Sequence, residues 1–146
     1  MIFVTRELYS GVQPGSGWER KAEREWKRRM AMYVRYYDVI SPLLPTSLRQ
    51  LCRHGLHDAV VQSAAMDANQ LTIYLDATNA LSGYRGHRMR LRFLGVRKRV
   101  PTRSLQRQWW LYSEAHLTSR ARFSLHVMFD RTDLEVEAEE LKIDRL

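Results

Sequence analysis

The spacing of apolar and polar positions changes once along the chain. Trp18, Ala22, Trp26, Met30, Tyr33, Tyr37 and Ile40 recur at intervals of three and four. That period places them on one stripe of an amphipathic helix. Arg20, Lys21, Arg24, Lys27 and Arg28 take the opposite side, with Glu25 and Arg29 as an i,i+4 pair. Ser16, three residues before Glu19, resembles a capping box, and Pro42 ends or kinks the helix. A short second helix is expected over 45–53, with Pro45 near its start and Gly55 just past its end. Ahead of the long helix, residues 2–5 (IFVT) read as a short strand, followed by a loop around Gly11, Pro14, Gly15 and Gly17.

From His57 onward the period is two. Ala59, Val61, Ser63 and Ala65 alternate with Val60, Gln62, Ala64 and Met66. "DANQ" (67–70) is turn chemistry, and Leu71, Ile73 and Leu75 form the returning strand. Residues 77–86 read as a loop. Met89, Leu91 and Phe93 alternate with Arg88, Arg90 and Arg92, and Gly95 marks a bulge. A basic turn, "RKRVPTRS", leads into the strand "RQWWLYSEAHL" (107–117), and two further strands carry Phe123 to Phe129 and Leu134 to Ala138. With Arg131 and Thr132 as the turn, Phe129 faces Leu134, Val127 faces Val136 and His126 faces Glu137. Helices first and hairpin-connected strands afterwards predict an α+β fold. The expected arrangement is a long and a short helix packed on one face of an antiparallel sheet of about five to six strands. At 146 residues the chain is expected to be a single domain, 1–146.

The strand around Trp109 and Trp110 has a tryptophan on each side, although a half-buried strand needs only one apolar face. If Leu111 and Phe93 face the helix, then Arg88, Arg90 and Arg92 point away on one strand. Trp110, Tyr112, Glu114 and His116 point away on another, with Arg122 and His126 on the next. Arginine interleaved with aromatic rings is the composition of an interaction surface. The expected partner-binding residues are therefore Arg88, Arg90, Arg92, Trp110, Tyr112 and His116, with Trp110 as central anchor. Cross-strand packing in a sheet buried on both sides is the alternative use of Trp110 and Tyr112.

Charge sets the partner class. Lys and Arg number 24 against 16 Asp and Glu, a formal net charge of +8. An anionic partner follows: an acidic protein first, and single-stranded nucleic acid (RNA) on the same Arg/Trp/Tyr face as the alternative. No RNP-like aromatic motif supports the second. Glu135, Glu137, Glu139 and Glu140 form one acidic cluster on the last strand, suited to offset neighbouring arginines or to guard an edge.

Candidate chemistry adds little. His54, His57 and Asp58 lie close in sequence, but the further ligands of a zinc site would have to come from His87, His116 or His126, with no spacing that suggests it. As adjacent strand residues, His57 and Asp58 point to opposite faces, which disfavours a catalytic dyad. Cys52 is the only cysteine, excludes an internal disulfide, and reads as a buried inert thiol. No phosphate-cradling glycine loop or metalloprotease motif is present. The expectation is a non-enzymatic protein with no catalytic residue, metal or cofactor. With no apolar run of membrane length and no secretory signal, it is expected in the cytoplasm, off the membrane.

The succession "FVTRELY", a tryptophan-rich helix, "LHDA", "LRFLGV", "WWLYSEAHL" and "FSLHVMF…LEVEAEEL" resembles small uncharacterised bacterial proteins. Some of these resemble immunity proteins of toxin–immunity systems. The resemblance implies a cytoplasmic, non-enzymatic binder that neutralises a partner protein. It carries over no functional residue, and the basic charge of this chain then calls for an acidic partner.

Overall fold

The computed structural model describes residues 2–119 and 121–146. The chain divides into two compact units, one ending at Pro42 and the other beginning at Leu43.

The N-terminal unit is a helical hairpin of unequal arms, α1 (Arg6–Gly11) and α2 (Glu19–Ile40). Residues 2–5 are not the expected strand. Thr5 caps α1 instead, its hydroxyl accepting the Leu8 N–H at 3.3 Å, which satisfies an otherwise orphaned donor of the first turn. The apolar stripe of α2 buries Ala22, Tyr33 and Ile40. Phe3 sits against Tyr33 and Tyr36 with ring centroids 5.4 and 5.6 Å away, and Tyr9 meets Trp26 at 6.1 Å. The expected capping box is displaced by two residues. Trp18 takes the cap position and is largely exposed. Ser16 Oγ accepts the Trp18 N–H at 3.2 Å, while Glu19 reaches back to the Gly15 N–H at 2.8 Å.

The C-terminal unit opens with α3 (Thr46–His54), preceded by Pro45 and closed by Gly55 at φ +67° as the sequence pattern predicts. Seven strands follow: β1 (Val60–Asp67), β2 (Gln70–Asp76), β3 (Arg88–Leu94), β4 (Trp110–Ser119), β5 (Arg122–Phe129), β6 (Asp133–Ala138) and β7 (Glu140–Arg145). The α+β class stands, but the strands do not form one sheet of five to six. They form two antiparallel sheets, β1-β2-β3-β7 and β4-β5-β6.

The reason lies at Glu139. The last stretch of chain bends there, so that β6 pairs with β5 in one sheet and β7 pairs with β3 in the other. Three groups fix the bend. Glu139 donates its backbone N–H to the Leu94 carbonyl at 2.9 Å. The Arg122 guanidinium bonds Glu137 at 2.8 Å, the Gly95 carbonyl at 2.6 Å, and Glu139. Gly95 has φ +69°, and a Cβ there would stand 2.7 Å from the Glu139 carboxyl. Only glycine fits that position without strain. The acidic run 135–140 thus supplies partners for a buried arginine as well as a charged edge.

The sheets meet again where Val60 bridges Trp109, with backbone bonds from Val61 to Gln108 and from Trp110 to Ala59. Past that point the 3-10 turn Arg103–Leu105 lies beside β1, a common way of shielding a strand edge. The inward residues of both sheets make the core: Leu71, Ile73, Leu75, Met89, Leu91 and Phe93 from one, and Trp110, Leu125, Val127 and Phe129 from the other. The β5–β6 register differs from the expected hairpin. Val127 faces Leu134 and His126 faces Glu135, because the connection runs from Phe129 to Thr132 and closes with a Phe129 N–H to Thr132 carbonyl bond.

Candidate interaction face

β3 alternates as its sequence predicts. Met89, Leu91 and Phe93 are fully buried, and Arg88, Arg90 and Arg92 stand on the opposite, outer face. Pairing extends that face across the sheet. Arg88 lies opposite Asp76, Arg90 between Tyr74 and Asp144, and Arg92 between Thr72 and Lys142. Asp76 in turn lies opposite Val60, and Val60 opposite Trp109. Directly paired residues share a face. One row therefore runs Arg88, Asp76, Val60, Trp109 over three strand spacings, roughly 14 Å. Trp109 is 49% exposed and Tyr74 37%. The outer face thus carries two accessible aromatic rings among basic side chains.

The electrostatics of this face are mixed. Arg90 and Arg92 both bind Asp144, at 2.9 and 3.0 Å, and Lys142 pairs with Glu140 at 3.5 Å. The Arg90 hydrogen bond holds the Asp144 carboxyl below its usual range, with Arg92 adding to the effect. Asp76 is also lowered, first by its bonds to Thr78. No carboxylate among the described residues forms an ion pair with Arg88.

The expected site divides between environments. Arg88, Arg90 and Arg92 are on the outer face of the first sheet. Trp110 is not on a surface: it is 1% exposed and packs edge-on against Phe129 with centroids 5.6 Å apart. A bulge reverses the expected direction. Trp110 pairs with Phe129 but Tyr112 pairs with Met128, so Leu111 is an extra residue on β4. The alternation skips one step there. Trp110 turns inward, and its neighbour Trp109 is the exposed tryptophan. The sequence gives no local sign of this exchange, because it depends on which strands pair with β4 on either side.

Tyr112 and His116 keep company with Glu114 on the second face of β4-β5-β6, as alternation predicts, but that face is not solvated. Glu114 is fully buried and its carboxylate lies 3.2 Å from His116 Nε2. His116 meets the His126 ring at 4.9 Å, and His126 is 3.6 Å from Glu135. Burial raises the Tyr112 hydroxyl well above its ordinary value, with Glu114 adding to it, and lowers His126. The Ser124 hydroxyl, opposite His116, is buried without a hydrogen-bond partner. These groups form a packed polar layer rather than an open site.

The remaining candidates separate as well. His54 meets Tyr84 edge-on with centroids 5.4 Å apart, while His57 pairs with Asp58 at 3.2 Å on the surface. Among the described residues, no group of three or more His, Cys, Asp or Glu is arranged to hold a metal ion. Cys52 is half-buried. Among the described residues, no helix is long and apolar enough to cross a membrane. No curated protein and no solved structure matches the chain. A family model does match residues 11–138, a span that takes in α2, α3 and β1 to β6, and the chain belongs to that family, described as "Protein of unknown function (DUF4085)".

Proposed function

We propose that this chain is a non-enzymatic binding module that recognises an acidic partner protein through the outer face of β1-β2-β3-β7 and the adjoining Trp109. The observation that carries the reading is the placement of exposed Trp109 and Tyr74 in register with Arg88, Arg90 and Arg92. Tryptophan, tyrosine and arginine dominate binding energy at interfaces, and strands hold them at low entropic cost. Interleaved Asp144, Asp76 and Glu140 favour a protein partner with its own mixed charges over the uniform charge of a phosphate backbone. If the chain acts as an immunity protein, as some of the small proteins that its sequence strings resemble do by likeness, the partner is an acidic toxin domain.

Capture of the tagged full chain from its native lysate, with nuclease and at raised salt, tests the reading. One stoichiometric acidic protein is expected. Its affinity should fall by more than about 2 kcal/mol in Trp109→Ala, with the melting temperature unchanged. Retention of full affinity in both Trp109→Ala and Arg90→Glu would overturn this face as the interface. Nucleic acid in the eluate, released by salt, would transfer the same face to the phosphate-binding alternative.

A further inference from the structure

The four cations of the outer face are not equivalent. Arg90, Arg92 and Lys142 are each held by a carboxylate of β7. Arg88 is not, and it is exposed. Asp76, directly opposite Arg88, feels its charge but is not within ion-pair distance, and its Oδ1 accepts the Thr78 N–H at 2.9 Å. With no carboxylate among the described residues at ion-pair distance, the exposed guanidinium fork of Arg88 keeps donors for an incoming anion.

A cleft of about 360 Å³ opens at this arginine. Gln62, Ser63, Tyr74 and Arg88 line it together with the buried Leu75 and Met89 and the exposed Leu146, whose N–H bonds the Arg88 carbonyl at 2.8 Å. Its shape has a local cause. Val61 pairs with Leu75 but Ser63 pairs with Tyr74, so Gln62 is an extra, bulged residue on β1. A bulge bends its strand and re-aims side chains, and bulges recur beside binding sites. Here it brings a carboxamide and a hydroxyl to the same cleft as the free arginine. The polar part of the set comprises one planar cation and two neutral groups, beside an aromatic wall and the apolar Leu75, Met89 and Leu146.

We propose that this cleft takes the carboxylate side chain of an Asp or Glu of the partner, bound to the Arg88 fork with Gln62 or Ser63 donating a further hydrogen bond. The inference rests on the reading of the outer face as the protein interface and names the anchor within it. An arginine fork matches a carboxylate with two parallel N–H donors, which a lysine would not do. Arg90 and Arg92 are unsuited to the role because Asp144 already occupies them.

The test uses the full chain and a blocked tripeptide with a central glutamate, followed by nuclear magnetic resonance of the Arg88 side-chain Nε–H and the Gln62 and Ser63 amides. Saturable shifts at these three positions are expected. A glutamine-centred tripeptide and the Arg88→Gln variant should each weaken the response by about tenfold or more. Arg97→Gln, on the exposed loop after β3, should leave it intact. Equal shifts with the glutamine peptide, an unchanged response in Arg88→Gln, or no saturation would overturn the carboxylate site. Much tighter binding of a phosphoserine tripeptide would overturn it in favour of a phosphate site. The wider reading fails separately: if captured partner is lost in Trp109→Ala but retained in Arg88→Gln, the face binds and the cleft is not its anchor.

Discussion

On β3 the side chains alternating with Met89, Leu91 and Phe93 are Arg88, Arg90 and Arg92, and apart from the buried Arg92 Nε they meet water or surface carboxylates. On β4 and β5 the side chains alternating with Ala115, Leu125 and Val127 are Glu114, His116, Ser124 and His126, and they are buried or nearly so. Both sheets alternate polar with apolar. One spends its polar face on solvent and the other builds it into the interior, with α3 lying against β4. A buried polar face must satisfy its own donors and acceptors, whereas an exposed one has water as a partner. The first sheet can therefore carry a binding surface at little cost in stability. The second carries its polar residues as structure.

This contrast sets the order of expected effects. The largest is at the joint between the sheets. Arg122→Ala removes the buried guanidinium that ties together Glu137, Glu139 and the Gly95 carbonyl and should cost about 3–5 kcal/mol in urea unfolding. A loss below about 1 kcal/mol would show that the joint is not held by this arginine. Trp110→Ala should cost a similar 3–5 kcal/mol, roughly, because it empties a fully packed core position. Trp109→Ala should stay within about 0.5 kcal/mol of the parent. Equal costs for the two tryptophans would erase the distinction between core and surface ring. Ser124→Ala should be neutral or stabilise by up to about 1 kcal/mol, since the hydroxyl it removes is buried without a partner. A clear loss would mean that the hydroxyl is satisfied in solution.

The smallest effect is on pH. Burial holds His126 below the ordinary histidine value of 6.5. The unfolded chain then takes up this proton more readily than the folded one. The stability involved is complete above about pH 6.5 and declines as pH falls from there toward the lowered folded value. His126→Gln should flatten that decline in melting temperatures recorded from about pH 8 to about pH 5. An unchanged slope would assign the decline to other groups. Asp144 and Asp76, also lowered in the folded state, begin to act only as pH approaches the ordinary carboxylate value of 3.8.

The sequence by itself determined every element whose signal is local. The stripe from Ala22 to Ile40 made α2, Pro45 and Gly55 bracketed α3, and period-two runs marked the strands from β1 to β6. It also placed Arg88, Arg90 and Arg92 together on one face, because alternation on a single regular strand needs no partner to define it. Tertiary structure decided the rest. The division into two sheets depends on a bend at Glu139 that Arg122 and Gly95 stabilise from distant parts of the chain. The choice between Trp109 and Trp110 depends on a bulge at Leu111, and the cleft beside Arg88 on another at Gln62. A bulge is an agreement between two strands about register, and one inserted residue reverses every face assignment beyond it. Local pattern fixes which residues share a face within a run. Only long-range pairing fixes whether that face meets water.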